Sequence, residues 1–326
     1  MSLEKFLNNV KEYFVEKIPL TRTAKTIQIL LIRETHDYTI FRTEETRELN
    51  IVTLPRSMSD PTPTIRVVML ASKQKAPENR KYIELVRTLA LDYGINLDDK
   101  QKNCALKDAL CMKCPRCVLF GAVSTEAGAQ RWNIKHRIEY SSAYSLEDYE
   151  EISELITFNA VDSRTQSTGQ ALGVTENIRP IAHFPSIITL NTVTKEEFIM
   201  VLKTILATRS YGAETRIKGD MVNHIVGIVF AYEELLTSLE FLLELADKNW
   251  KDDIYEAVSD VLKEYKKNAV FPDKVVIWTG DELRKFLEEL HKFEINKEFV
   301  EKLYTTAKNF VEQLEAIGKE GKKSKK

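Results

Sequence analysis

Two periodicities alternate along this chain. Thr26–Glu34 (TIQILLIRE) is short, β-branched and continuously apolar, which predicts a buried strand. Ile65–Ser72 and Asn223–Tyr232 read as further strands. Ile134–Ser145 alternates apolar and polar residues, as a half-exposed strand would. Ile178–Leu190 is strand-like but carries two prolines, which predicts an edge or bulged strand. Helical spacing appears over Glu78–Gly94, where Ile83, Val86, Leu89 and Ala90 share a face and Gly94 supplies a stop. A second helix is predicted from Thr194, which forms a capping-box pattern with Glu197. Tyr38–Leu54 reads as extended structure, and Pro55–Thr64, with three prolines, as a loop.

Beyond Glu233 the pattern is mainly helical, interrupted by one strand-like run, Lys274–Thr279 (KVVIWT). Phe286, Phe293, Phe299, Tyr304 and Phe310 recur near helical spacing and are read as core. The core elements therefore run strand, helix, strand, strand, helix, strand over 26–34, 78–93, 134–145, 178–190, 194–208 and 223–232. This is the βαββαβ order of an α+β, ferredoxin-like or RRM-like domain. The connections are long, so large insertions are expected between its elements.

Of 326 residues, 43% are hydrophobic and 29% charged, enough apolar material for a sizeable core. No apolar run approaches the roughly 20 residues that span a bilayer, and the N-terminal segment lacks the apolar stretch of a signal peptide. A cytoplasmic location with no membrane partner is expected. The net charge of −2 does not suggest a nucleic-acid binder, but its distribution changes the picture. Lys100–Arg137 holds eight lysines and arginines against two acids, whereas Tyr232–Gly318 holds twenty acids against twelve bases. The tail, GKEGKKSKK, is basic again. A chain polarised in this way can present a positive surface at an overall pI near 6.3.

The only four cysteines, Cys104, Cys111, Cys114 and Cys117, lie within fourteen residues. A disulfide framework would spread them out. Four clustered thiolates suit a closed, structural zinc site that folds a segment too small for its own core. An iron–sulfur cluster, or a site completed by His136, remains open on spacing alone. Nucleotide-binding GxGxxG and GxxxxGK[ST] patterns and the HExxH metal motif are absent.

Four patches remain. Ser72, Lys73, Gln74 and Lys75 lie where a strand meets a helix, a junction that offers phosphate-binding donors. Leu119–Phe120–Gly121 ends the cysteine loop. FNAVDSRTQSTGQALGVTENIRP runs from an apolar stretch through a polar one and back. RSYGAETRIKGDM sets Gly212 and Gly219 around Arg216.

In this order and spacing the patches resemble the repeat-associated RNA-binding (RAMP) superfamily of CRISPR proteins. The cysteine insertion looks most like the Cas-seven-type backbone subunit of the type I-D surveillance complex (Cascade). The resemblance covers about residues 20 to 235. It implies a core with insertions over 1–235, holding a zinc-binding insertion at about 95–133 and a thumb hairpin at about 146–178. A helical region over 236–318 and a basic tail at 319–326 would follow.

It also implies copies of the chain polymerised along single-stranded CRISPR RNA (crRNA), beside other subunits, with target DNA reached through the guide. The phosphate backbone would be held without sequence reading. The implied RNA contacts are Ser72, Lys73, Gln74 and Lys75; Arg164, Gln166 and Ser167 on the thumb; and Arg209, Tyr211, Gly212, Arg216 and Lys218 at the glycine loop. Gly219 would allow close approach of the backbone, and Met58 is a candidate wedge between bases.

No catalytic residue is implied. RNA-cleaving relatives use an acid after the first strand, so Asp37 and Asp60 are the candidates for an alternative endoribonuclease reading. A zinc-stabilised protein-interaction scaffold is a third reading.

Overall fold

The computed structural model describes residues 2–42, 47–106, 109–123, 133–158, 164–166, 173–214 and 217–323, with side chains followed to Ile317 in the last helix. Helix α1 (Leu3–Asn9) is followed by β1 (Thr26–Thr35), β2 (Ile51–Pro55) and β3 (Pro63–Met69), then the long helix α2 (Ala71–Asp92). Two short helices, α3 (Asp99–Lys102) and α4 (Pro115–Phe120), carry the cysteine segment to four brief strands. These are β4 (Ala122–Val123), β5 (Asn133–Ile134), β6 (Ile138–Tyr140) and β7 (Ala143–Tyr144). Helix α5 (Tyr149–Ile152) opens the hairpin of β8 (Ser153–Phe158) and β9 (Gly173–Ile178). Next come β10 (His183–Asn191), α6 (Lys195–Ala207) and β11 (Met221–Ala231). The chain finishes with α7 (Ser238–Ala246), α8 (Ile254–Asn268), β12 (Val276–Trp278), α9 (Gly280–Lys292) and α10 (Lys297–Lys323).

The main sheet is antiparallel, in the order β12-β11-β1-β10-β6. Its central strand shows why TIQILLIRE is continuously apolar: both faces are covered. Ile27, Ile29 and Leu31 pack with residues of α2, α6, α9 and α10, while Leu30 and Ile32 pack with those of α7 and α8. The polar member of the second face, Gln28, is satisfied by the chain before α7. Its amide donates to Leu236 O (2.9 Å) and its carbonyl accepts from Leu235 N (2.7 Å). A bulge near Val226, opposite Leu30 and Leu31, shifts the phase of β11, so Ile225, Ile228 and Phe230 all reach the first face.

The expected strand over 134–145 is instead three short ones. Only β6 joins the main sheet; β7 pairs with β3 in a separate sheet, order β2-β3-β7. β10 is an interior strand, contrary to the edge position expected from its prolines. The reason is local: β6 covers only Ile188–Leu190, so at Pro185 the strand is flanked by β1 alone, and the missing N–H falls where no second ladder exists. The KVVIWT run adds β12 to the main sheet beside β11, and Trp278 packs on Phe230 (ring centroids 4.6 Å) and Phe286 (4.7 Å). The C-terminal helices are thereby continuous with the first core, and the recurring aromatics Phe286, Phe299, Tyr304 and Phe310 are buried there. The Thr194–Glu197 capping box is present at α6.

A buried ion pair sits inside this apolar frame. Arg33 of β1 is fully buried and donates to Glu78 of α2 (2.7 Å), Asn223 of β11 (2.8 Å), Ser186 of β10 (2.9 Å) and Tyr211 (3.1 Å). Glu78 also accepts from Tyr140 of β6 (2.7 Å). Four strands, a helix and a loop thus meet at one ion pair. Glu78→Gln is expected to destabilise the fold by about 3–5 kcal/mol, because it leaves the buried guanidinium without its counter-charge. Denaturant unfolding monitored by circular dichroism checks this; an unchanged midpoint would show that the pair is not the anchor.

Candidate nucleic-acid interface and metal centre

Helix α2 begins two residues after β3, so Ser72–Lys75 form its first turn and not a linker. The helical spacing had predicted a start at Glu78. The early turns are held instead by Gln74, whose amide donates to Met69 O (3.1 Å) and Ser141 O (2.8 Å), and by the bond from Ala71 N to Ser142 Oγ (3.2 Å). Gln74 is therefore fully buried, which corrects its expected role as an RNA contact. Helical geometry sends the others in different directions. Ser72 is exposed, and Lys73 is half-buried on the stripe that continues through Pro77, Arg80, Lys81 and Glu84. Lys75 is half-buried on another side, where burial and then the neighbouring Arg116 lower its pKa.

The loop between α6 and β11 closes on itself. A Cβ at Gly212 would sit 2.2 Å from Thr39 Cγ2 and 2.8 Å from Ile40 N; one at Gly219, whose φ is +63°, would sit 2.4 Å from Gly212 C. Both glycines thus serve close packing of the chain against itself, where the sequence had suggested close approach to RNA. Tyr211 is also corrected: it is buried, and its hydroxyl donates to Glu78 (2.7 Å) inside the Arg33 cluster. Arg209 is exposed, Lys218 is exposed and paired with Asp220 (2.6 Å), and Glu214 pairs with Arg42. Arg216 lies outside the described residues.

These elements meet at an open groove of about 320 Å3. One wall is Pro77, Arg80, Lys81 and Glu84 of α2; the other is Ala207–Ser210 with Lys218. Arg209 and Lys218 thus come alongside Arg80 and Lys81, with Lys73 one turn away on the same stripe. Arg80 and Lys81 were missed in the sequence, although the spacing 73, 77, 80, 81, 84 carried the signal. Arg164 and Gln166 are exposed between β8 and β9, whose pairing runs from Ser153–Ile178 to Phe158–Gly173, and neither lines the groove. Ser167 and residues 324–326 of the tail lie outside the described residues. Met58 is half exposed, in a loop tied to α7 by Met58 N on Leu243 O (3.3 Å) and to Asp247 through Ser59 (2.5 Å).

The four cysteine sulfurs lie within 4.8 Å of one another, all buried and unbonded to each other. Cys104–Cys117, Cys104–Cys114 and Cys111–Cys117 separations are 3.6, 3.7 and 3.9 Å. Tetrahedral ligation at the usual metal–sulfur length of about 2.3 Å places sulfurs roughly 3.8 Å apart, so the quartet fits a metal ion. Backbone N–H groups of Cys111, Lys113 and Cys114 point at the sulfurs (3.3–3.4 Å), as they do around ligated thiolates. Arg116 reaches Cys117 Sγ at 3.9 Å. The Leu119–Phe120–Gly121 segment ends helix α4, not a loop, with Leu119 and Phe120 in the core.

His183 of β10 and His224 of β11 join a polar cluster at the end of the sheet. Glu34 lies 2.8, 3.4 and 3.5 Å from the Nε2 atoms of His36, His183 and His224, and His183 Nδ1 lies 2.6 Å from Glu147. Burial opposes protonation of His183, but the bond and charge of Glu147, with Glu34, outweigh it and raise its pKa. Asp37 and Asp60 are occupied locally: they accept from Tyr38 N (2.8 Å) and Thr62 N (2.9 Å).

A model of the Csc2 CRISPR family matches residues 13–324. The chain belongs to the Csc2 CRISPR family. Csc2 of Thermofilum pendens shares its fold, with a TM-score of 0.65 at 18% identity over 96% of this chain and 98% of that one. Two weaker likenesses are to chains described as a CRISPR RNA-guided surveillance complex, pre-nicking (TM-score 0.48, 10% identity, 77% of this chain and 90% of that) and a CRISPR RNA-guided surveillance complex (0.47, 11%, 86% and 99%). No curated protein matches the chain. Among the described residues of this Csc2 family member, no helix is long and apolar enough to cross a membrane.

Cys114→Ser is expected to reduce bound metal and lower the melting temperature, read by elemental analysis and a thermal melt; full metal content in the variant would remove Cys114 from the ligand set. The raised pKa of His183 stabilises the fold below the unfolded value of about 6.5, and this contribution is lost as pH rises through the folded value. His183→Gln should therefore flatten the fall in stability between neutral and alkaline pH. Parallel melting curves for the two proteins across that range would contradict the assignment.

Proposed function

We propose that this chain is a non-catalytic, crRNA-binding backbone subunit of a CRISPR type I-D interference complex, copies of which line up along one guide. The observation that carries the reading is the α2–glycine-loop groove, which sets Arg80, Lys81, Arg209 and Lys218 side by side in a member of the Csc2 CRISPR family. Cationic side chains along an open groove suit a sugar–phosphate chain, which they hold by charge without reading sequence. Lys73 extends the groove. Lys75, with its pKa lowered by burial and Arg116, would regain its charge partner if a phosphate lay beside it.

The main sheet, with α2 and α6 on one face, is read as a ferredoxin-like core. Its four strands β11-β1-β10-β6 have the order expected when the first and last strands of βαββαβ are neighbours. The β8–β9 hairpin is read as the thumb that meets the neighbouring copy, with Arg164 and Gln166 exposed between its strands; Ser167 and Arg216, outside the described residues, stay implied contacts from sequence alone. Zinc is the metal proposed for the cysteine quartet, since four thiolates leave no open position and make the site structural. Of the implied RNA contacts, Gln74 and Tyr211 are assigned to holding α2 and the loop in place. Other complex subunits, and target DNA paired to the guide, are the further partners, and the cytoplasm is the compartment.

The test is an RNA titration. Wild-type protein should bind single-stranded RNA with little sequence preference, and affinity should fall steeply with salt. Lys73→Glu and Arg209→Glu should each weaken binding and flatten the salt dependence. Regular cleavage of a guide-paired target RNA, lost in Asp37→Ala, would favour the endoribonuclease reading. No RNA retention by folded, metal-loaded protein would leave the interaction scaffold.

A further inference from the structure

The groove does not end at Arg80. On the far side of Arg80 and Glu84 lies a second cavity of about 140 Å3, between α2 and the cysteine segment. Three arginines line it: Arg80, Arg87 and Arg116. The segment from Cys104 to Leu106 and Leu110 form the opposite wall. The sequence pattern had singled out none of α2's arginines, and the groove alone does not use Arg87 or Arg116.

Size and charge restrict what this cavity can take. Pockets for drug-sized ligands run from about 300 to 1,000 Å3, so this one admits a small anion and not a nucleoside. Among the described residues that line it, the one acid, Glu84, is paired with Lys81 (2.9 Å). Two of its guanidiniums are fixed in advance. Arg116, 4% exposed, donates through Nε to Asn79 Oδ1 (2.6 Å) and through Nη1 to Gly121 O (3.1 Å); Arg87 Nη1 donates to Lys102 O (2.9 Å). Neither Arg87 nor Arg116 has a carboxylate among these partners. Planar cations held by carbonyls and an amide, with Arg116 Nη1 also 3.9 Å from Cys117 Sγ, make a preorganised site for a tetrahedral oxyanion.

We propose that the Arg80–Arg87–Arg116 cavity holds a backbone phosphate of the bound nucleic acid, so that the strand turns over α2 from the glycine loop toward the cysteine quartet. This rests on the RNA-binding reading above and adds a direction to it. Arg80 is the hinge of the track, since it lines both cavities.

Fluorescence anisotropy with a single-stranded RNA at several salt concentrations tests it. Arg80→Glu and Arg87→Gln should each weaken binding equally for unrelated sequences, and each lost phosphate contact should shallow the log–log salt slope by about 0.7. Arg87→Lys keeps the charge and should retain the slope. Lys263→Glu on α8, away from both cavities, should bind as wild type. Thermal melts and metal content establish that each variant is folded. If Lys73→Glu and Arg209→Glu weaken binding while Arg80→Glu and Arg87→Gln do not, the track is overturned and the RNA reading stands. If all four bind RNA as wild type, both fall. Calorimetry with inorganic phosphate separates the sources: saturable binding lost in Arg87→Gln, with unchanged RNA affinity, would make the cavity a free-anion site and overturn the proposal.

Discussion

The Arg33–Glu78 pair fixes where everything else goes. Arg33 stands on the central strand, and its partners come from β10, β11, α2 and the glycine loop, with β6 joined through Tyr140. An ion pair in such a place contributes little net stability over apolar packing, because desolvation offsets the attraction. Its value is in orientation: one arrangement of helix, strands and loop satisfies both charges. The same pair positions the groove. Glu78 and Arg80 are two residues apart on α2, and Tyr211, bonded to Glu78, lies two residues from Arg209. The exposed cations on both walls are therefore registered from below by a buried one.

Much of this was legible in the sequence. β1, α2, β10, α6 and β11 lie where the apolar periods predicted strands and helices, because those periods are set by burial, and TIQILLIRE, Thr194–Glu197 and KVVIWT each found the strand, cap or strand expected. What failed did so for identifiable reasons. Helical spacing predicted a start at Glu78, which tertiary bonds from Gln74 and Ser142 move seven residues earlier, to Ala71. The alternation over 134–145 belongs to three strands in three different sheets, which period alone does not separate.

The candidate site was legible by type more than by direction. Arg209 and Lys218 line the open groove, and Lys73 lies one turn from it on α2. Gln74 and Tyr211 carry the right chemistry but point inward, and Gly212 and Gly219 are small because Thr39, Ile40 and each other press on them. Arg80 and Lys81 look in sequence like ordinary solvated charges on a helix; only the loop folding back beside α2 distinguishes them. The cysteine quartet was the opposite case, since four thiols within fourteen residues leave few folds that keep them apart.

The two outer strands of the main sheet, β6 and β12, are three residues each. Unpaired strand edges are templates for fusion between molecules, and brevity is one of the ways proteins blunt them. A subunit meant to stand shoulder to shoulder with copies of itself would run that hazard at high local concentration. With outer strands this short, copies of the chain standing side by side would meet through side chains and loops more than through strand pairing. An array of that kind can be taken apart again, where a fused sheet could not.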